Sequence, residues 1–327
     1  MPTISDVALL AGVSTATVSR VLNGIAVKPD LKKAVELAVE ELRYSPSRTA
    51  QSLRRKASLI IGLILPDIEN PYFTTLARGV EDVAQAEGFS VVLCNSDDKF
   101  VKEMKYLQIA VDERMAGVIV APASARTSIG ILASNGLPVV AVDRPVLEDV
   151  DFVTEDNQTL GRKGVDLLVA RGFSRIACVT GPCDTLTARE RADGWRMQML
   201  QYGLEAPDEL LVRANFKVDG GRMAVSQLLS LPSPPQAILA TNNLEGVGAL
   251  QVLAKLSGSF PPVSVGILGE LPFATSDTSE ISIIPLHPRQ MGLMAAKLLV
   301  DRIGDKTETD SRRITLPVGS APGMVDF

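Results

Sequence analysis

The chain has 327 residues, 46% of them hydrophobic and 22% charged, the proportions of an ordinary globular protein of about two domains rather than a disordered or fibrous one. Its apolar runs, such as residues 59–65, fall far short of the ~20 residues a membrane-spanning helix needs. Residues 1–6 lack the basic and apolar regions of a secretory signal, so a cytoplasmic protein with no membrane partner is expected. Cys94, Cys178 and Cys183 are too few for a disulfide framework, and the single histidine, His287, leaves little room for His-based metal sites or catalysis. The net charge of −5 is unevenly spread: residues 1–58 hold nine Lys/Arg against five acids, a net +4, which leaves −9 on the rest. A basic head on an acidic body suits a nucleic-acid-binding head on a sensor body; a solvated basic face gives the same arithmetic.

In chain order, Thr3 and Asp6 form a capping box at the start of a first helix that runs to Ala11. Gly12 breaks it and Val13 plugs the core. Ser14 caps a second helix, residues 15–22, which Asn23 and Gly24 stop. A third helix spans residues 30–42, with Leu31, Ala34, Val35, Ala38, Val39 and Leu42 on one stripe, and a short polar helix is predicted over 47–55. From Ser58 the texture changes. Strands are predicted at 59–65, 90–93, 117–120, 139–142, 176–180, 237–240 and 263–267. Helices are predicted at 73–87, 101–114, 160–171, 189–201, 220–229 and 244–256. Such alternation implies parallel sheets covered by helices, and some 270 residues of it imply two doubly wound lobes. The predicted fold is therefore α/β: a small all-α helix-turn-helix head (1–45), a hinge helix and linker (46–58), and a two-lobed parallel-sheet body (59–327).

Residues 4–24 read as a helix-turn-helix, which would place residues 15–22 in a major groove. Val18, Val21 and Leu22 then pack inward. Thr15, Ala16 and Arg20 point outward, where Arg20 matches a guanine edge. Ser14, Thr17 and Ser19 carry hydroxyls suited to phosphate oxygens. On spacing alone, a generic three-helix cap with polar ends fits as well.

The residues Asp6-Val7-Ala8, Ala11-Gly12-Val13-Ser14 and Thr17-Val18-Ser19-Arg20-Val21-Leu22-Asn23-Gly24 closely resemble the DNA-binding head of the lactose- and galactose-repressor family of bacterial transcription regulators. Tyr44-Ser45-Pro46 and Ala50-Gln51-Ser52-Leu53-Arg54 are similar to the family's hinge helix. The resemblance implies that Asn23, Ala50, Leu53 and Arg54 also meet DNA, with Leu53 as an apolar wedge in the minor groove, two hinges pairing across a dimer. Two positions depart from the family pattern: Lys28 stands where a Ser usually caps the third helix, and Arg43 where a Gly usually precedes the tyrosine.

The body is similar to the same family, whose two lobes resemble periplasmic sugar-binding proteins with a ligand in the cleft, beyond the carboxyl ends of the strands. The resemblance rests on residues 66–73, Asp143-Arg144, Asp156-Asn157 with Gly161, Thr180-Gly181-Pro182 with residues 191–195, and Ala240-Thr241-Asn242-Asn243. It implies an effector site at Tyr72, Phe73, Asp156, Thr187, Arg191, Phe216 and Asn242. The blander alternatives are core packing for Tyr72 and Phe73, and a structural ion pair with Asp156 for Arg191. The family's Gly-aromatic-Asp-Asp pattern is absent from residues 266–270: Gly269 falls where a sugar-binding Asp is common, and Asn243 replaces another frequent Asp. Loss of these acids with retention of arginines tilts the expected effector, a sugar, sugar acid or sugar phosphate, toward an anion; Glu270 is a candidate substitute.

The function implied is a homodimeric repressor of double-stranded operator DNA, modulated by a small molecule. The C-terminal residues 317–327 lack the leucine heptads of the tail through which a tetrameric member of the family assembles, so a dimer is expected. The alternatives are a solute-binding protein without DNA regulation, or an enzyme. No Gly-x-Gly-x-x-Gly or Walker-type loop is present, no Ser/His/Asp set is plausible around His287, and no cofactor is expected.

Overall fold

A computed structural model of the chain describes residues 2–22, 24–44, 58–124, 126–256, 262–271, 281–304 and 310–318. The chain forms two compact units, Met1–Ser58 and Leu59–Phe327. The first holds helices α1 (Ile4–Ala11), α2 (Thr15–Leu22) and α3 (Pro29–Glu41) around buried Val7, Ala8, Val18, Val35 and Ala38. Thr3 and Asp6 make the expected reciprocal capping box. Gly12, at φ +63°, closes α1 in the left-handed conformation that glycine takes without steric cost, and α2 leaves at 103° to it. Asn23, Ala50, Leu53 and Arg54, and the whole predicted 47–55 helix, lie outside the described residues.

The second unit contains two parallel sheets. The six-stranded sheet has the order β11-β5-β4-β3-β1-β2, from β1 (Ile60–Leu65), β2 (Ser90–Asn95), β3 (Gly117–Val120), β4 (Val139–Val142), β5 (Asp151–Glu155) and β11 (Arg313–Leu316). Its strands alternate between two cores: Ile61, Leu63 and Leu65 of β1 face α4 (Pro71–Ala86) and α11 (Pro288–Gly304), while Ile64 faces α5 (Phe100–Asp112) and α6 (Gly130–Ser134). The five-stranded sheet has the order β10-β9-β8-β6-β7, from β6 (Ile176–Thr180), β7 (Leu211–Arg213), β8 (Ala237–Ala240), β9 (Ser264–Leu268) and β10 (Ile281–Ile284). It is covered by α7 (Asn157–Ala170), α8 (Leu186–Gln201), α9 (Val218–Leu229) and α10 (Asn243–Lys255), with Trp195 fully buried in its core.

Among the described residues the chain passes between these lobes after β5, before α11 and after β11. The first two crossings are tied together: Glu155 Oε1 accepts from the His287 backbone N–H at 2.7 Å and lies 3.2 Å from its Nδ1. At the third, Lys163 Nζ donates to the Val318 carbonyl at 2.7 Å.

Helix α2 and strands 117–120, 139–142, 176–180 and 237–240 have the predicted bounds, and most other predicted elements of the body shift by one to three residues, chiefly because Pro71, Asp156 and Asn242 start or cap helices earlier than the apolar stripe begins. Four strands and two helices were not predicted: β5, β7, β10, β11, α6 and α11. The strands are three to five residues long. Helix α11 is wedged between α4 and the sheet and buries Met291, Met294, Ala295, Leu298 and Leu299, so it shows no clean polar face.

Candidate functional site

In the head, α2 turns Thr15, Ala16 and Arg20 outward, with Thr17 and Ser19 half-buried. Ser14 acts first as a cap: its Oγ accepts from Thr17 N–H at 3.1 Å and lies 3.0 Å from Thr17 Oγ1. These two hydroxyls are therefore partly committed to each other, which fixes the N-terminal turn of α2. Lys28 makes no side-chain cap on α3, and Pro29 at its first position supplies the preset φ instead. Arg43 sits at φ +46°. Tyr44 N–H reaches the Val39 carbonyl and Arg43 N–H that of Glu40, the bonding of a Schellman stop. A glycine fits that position without strain; arginine does not.

In the body, a cleft of about 520 Å³, open at its mouth, lies beyond the carboxyl ends of the strands. Tyr72, Phe73, Thr187, Arg191, Phe216 and Asn242 all line it. Asp156 and Glu270 do not. Asp156 is exposed, and its carboxylate caps α7 by accepting from Thr159 N–H and Oγ1 at 2.9 and 2.7 Å. Glu270 is exposed beyond β9. Arg189 is also exposed, on the far side of α8 from Arg191.

The α8 wall carries the uncommitted donors. Thr187 and Arg191 are 3% and 5% exposed and, four residues apart, share a helix face. Arg191 donates from Nε to Asn157 Oδ1 and from Nη1 to the Thr241 carbonyl, both at 2.8 Å. Its partners are neutral, so the ion pair with Asp156 is not formed. Its Nη2 and the Thr187 hydroxyl make no protein hydrogen bond among the described residues. Gly161 makes this wall possible: a Cβ there would lie 2.1 Å from the Arg191 carbonyl oxygen.

The opposing wall is a charge network. Tyr72 donates its hydroxyl to Asp143 Oδ1 at 3.2 Å, and burial beside Asp143 holds its phenol well above the usual range. Burial also pushes the Asp143 carboxyl up, against the pull of Arg144 and Arg191. Arg144 pairs with Asp98 at 2.9 Å and Asp143 at 3.5 Å and donates to the Pro122 carbonyl. Phe73 is both core and cleft: it packs in the first lobe's interior and meets Tyr72 edge-on at 5.1 Å.

Phe216 comes from the second lobe, and its ring centroid lies 5.6 Å from the Arg144 guanidinium carbon. Asn242 lines the cleft with its amide already in use: Oδ1 caps α10 by accepting from Glu245 N–H, and Nδ2 donates to the Phe216 carbonyl. At the end where family acids were expected, Gly269 has φ +101°, with Asn243 and Leu286 beside it. That backbone disfavours any side chain, so this corner is neutral. The lining residues Asp67, Asn70, Asp98, Asp143, Arg144 and Asn215 were not predicted as site residues; Asp143-Arg144 at a strand end was the available signal.

Residues 3–47 match the family model described as bacterial regulatory proteins, lacI family, and residues 58–321 that of periplasmic binding proteins and sugar binding domain of LacI family. The ribose operon repressor of Escherichia coli (strain K12) is 32% identical over 324 residues, covering 97% of this chain and 98% of that protein. That of Halalkalibacterium halodurans is 34% identical, covering 97% and 95%. A transcriptional regulator CelR–cellobiose complex superposes with a TM-score of 0.72 at 29% identity over 97% of both chains. The lac repressor dimer bound to operator and the anti-inducer ONPF has a TM-score of 0.83 at 24% identity over 97% and 96%, a likeness of fold. The chain belongs to the LacI family of DNA-binding transcriptional regulators, with a helix-turn-helix head and a periplasmic-binding-protein-like body.

Proposed function

We propose that this protein is a cytoplasmic, homodimeric repressor that reads its operator through α2 and takes a neutral, polyhydroxylated effector, a sugar or sugar derivative, in the interlobe cleft. The carrying observation is the charge balance of the cleft. Arg144 pairs with Asp98 and Asp143, and Asp67, Asp98 and Asp143 line the space with Arg144 and Arg191, three carboxyl groups against two guanidiniums. A sugar acid or phosphate would bring further negative charge to a lining whose acids already outnumber its bases; a hydroxyl donates to the carboxyl groups and accepts from Thr187 and Arg191. This reverses the tilt toward an anion drawn from the missing family acids. Relatives named ribose operon repressor and a regulator solved with cellobiose support the same class.

Ligand in the cleft contacts both lobes, so it binds their closed and open arrangements differently, which is the requirement for changing affinity for DNA. The basic head disfavours a solute-binding protein without regulation, and catalysis has no support from the repressor relatives. A thermal-shift panel of D-ribose, cellobiose, their acids and phosphates, and purines tests the effector class. A ligand at 100 times its Kd adds ~2.7 kcal/mol. Stabilisation by a neutral sugar above its acid or phosphate is expected; the opposite order overturns the reading.

A further inference from the structure

Phe216 occupies φ +61°, a conformation aromatic residues rarely take. Its backbone is fastened on both sides by one turn of α10: the N–H donates to Glu245 Oε1 at 3.2 Å, and the carbonyl accepts from Asn242 Nδ2 at 3.0 Å. The ring lies over Gly181, where a Cβ would be 2.0 Å from it. Glu245 itself does not line the cleft; it is fully buried, and its Oε2 has no hydrogen bond among the described residues. A carboxyl group is a costly occupant of such a place, where a methionine or leucine would fill the volume without desolvating a polar atom. What it supplies is the acceptor for Phe216 N–H.

We propose that Glu245 is a positioning residue of the effector site: by holding the Phe216 backbone it fixes the ring beside Arg144, and so determines which ring-shaped ligands stack there without touching them. This rests on the reading of the cleft as the effector site. Burial lifts the Glu245 carboxyl to about 8, so at neutral pH it is largely a neutral acid accepting through Oε1, which glutamine imitates and methionine does not.

The test uses the full chain labelled with 4-fluorophenylalanine, whose nine phenylalanines give separable fluorine signals; the Phe216 signal is the one lost in F216L. In E245Q it should stay in place. In E245M it should move or broaden while the other signals hold, and E245A serves if E245M does not fold. An unchanged Phe216 signal in the folded apolar variant overturns the proposal. D-ribose, D-galactose and cellobiose are then titrated. A sugar that shifts the Phe216 signal should bind about tenfold more weakly to E245M, the scale of one aromatic contact, and less than twofold more weakly when E245M is added to F216L. An equal loss in both backgrounds also overturns the proposal. If no sugar moves the signal, the effector reading fails, and the positioning role is judged by the E245Q and E245M spectra alone.

Discussion

Glu245→Gln should stabilise the body, and by more at pH 8 than at pH 6. Burial raises the Glu245 carboxyl from 4.5 to about 8, against smaller lowering effects of the Phe216 N–H and Arg191. The unfolded chain releases this proton near pH 4.5 and the folded chain near pH 8. Between those values the folded state holds one more proton, so stability falls as pH rises, by about 1.4 kcal/mol per unit. Integrated from pH 6 to pH 8, the wild type loses about 2 kcal/mol that the glutamine variant keeps. Trp195, the single tryptophan, is fully buried in the same lobe, so its fluorescence during urea unfolding reports the right body. Comparing the two proteins at each pH cancels every other titrating group. A stability gap that is the same at both pH values would refute the buried, protonated carboxyl.

Three further outcomes follow from local geometry. Arg43→Gly should relieve a left-handed arginine and stabilise the head by ~1 kcal/mol, read as slower amide exchange in α3; exchange as fast or faster would contradict the strain. Asp151, 2% exposed, is gripped by Arg302 and Arg312, and those bonds outweigh desolvation and hold it at about 2. Its contribution is therefore present above pH ~4 and lost as pH falls toward 2, and Asp151→Asn, which removes the buried carboxylate that Arg302 and Arg312 share, should cost about 3–5 kcal/mol at pH 7 by thermal or urea melts; a change under 1 kcal/mol would refute the grip. Gly161→Ala drives a Cβ to 2.1 Å from the Arg191 carbonyl, so α7 and α8 must separate at a cost of about 1–3 kcal/mol. Sugar-induced thermal stabilisation should shrink with it, and a variant that responds like wild type would show that the α8 wall does not depend on this contact.

What the sequence revealed was what local rules control. The Thr3–Asp6 box, Gly12 and the residues of α2 carry their own turn chemistry, so the head was readable in detail. The β-branched strands of the sheet centres were equally plain. Elements that depend on the rest of the fold were not: β5 contains two acids, one of them Asp151, which makes sense only beside Arg302 and Arg312. Helix α11 is apolar on too many sides to show a stripe. Of the residues named from the resemblance, Tyr72, Thr187, Arg191 and Phe216 line the cleft whereas Asp156 caps α7 outside it, because a residue at a lobe crossing either faces the cleft or caps the next helix, and spacing does not distinguish the two. Arg144 escaped because its meaning lies in Asp98 and Phe216, 46 and 72 residues away in the chain. Glu245 escaped because a glutamate at the start of a helix reads as an ordinary exposed capping residue.

The most direct test of the account is the coupling of the two ends of the molecule. Sites are selected from random duplex DNA by the full-length chain, and binding to the best of them is followed by fluorescence anisotropy with and without the sugar found by thermal shift. The account predicts an enriched two-fold-symmetric site whose affinity the sugar changes by the same factor as the DNA changes affinity for the sugar. Enrichment without any effect of the sugar, or sugar binding without any enriched site, would contradict it.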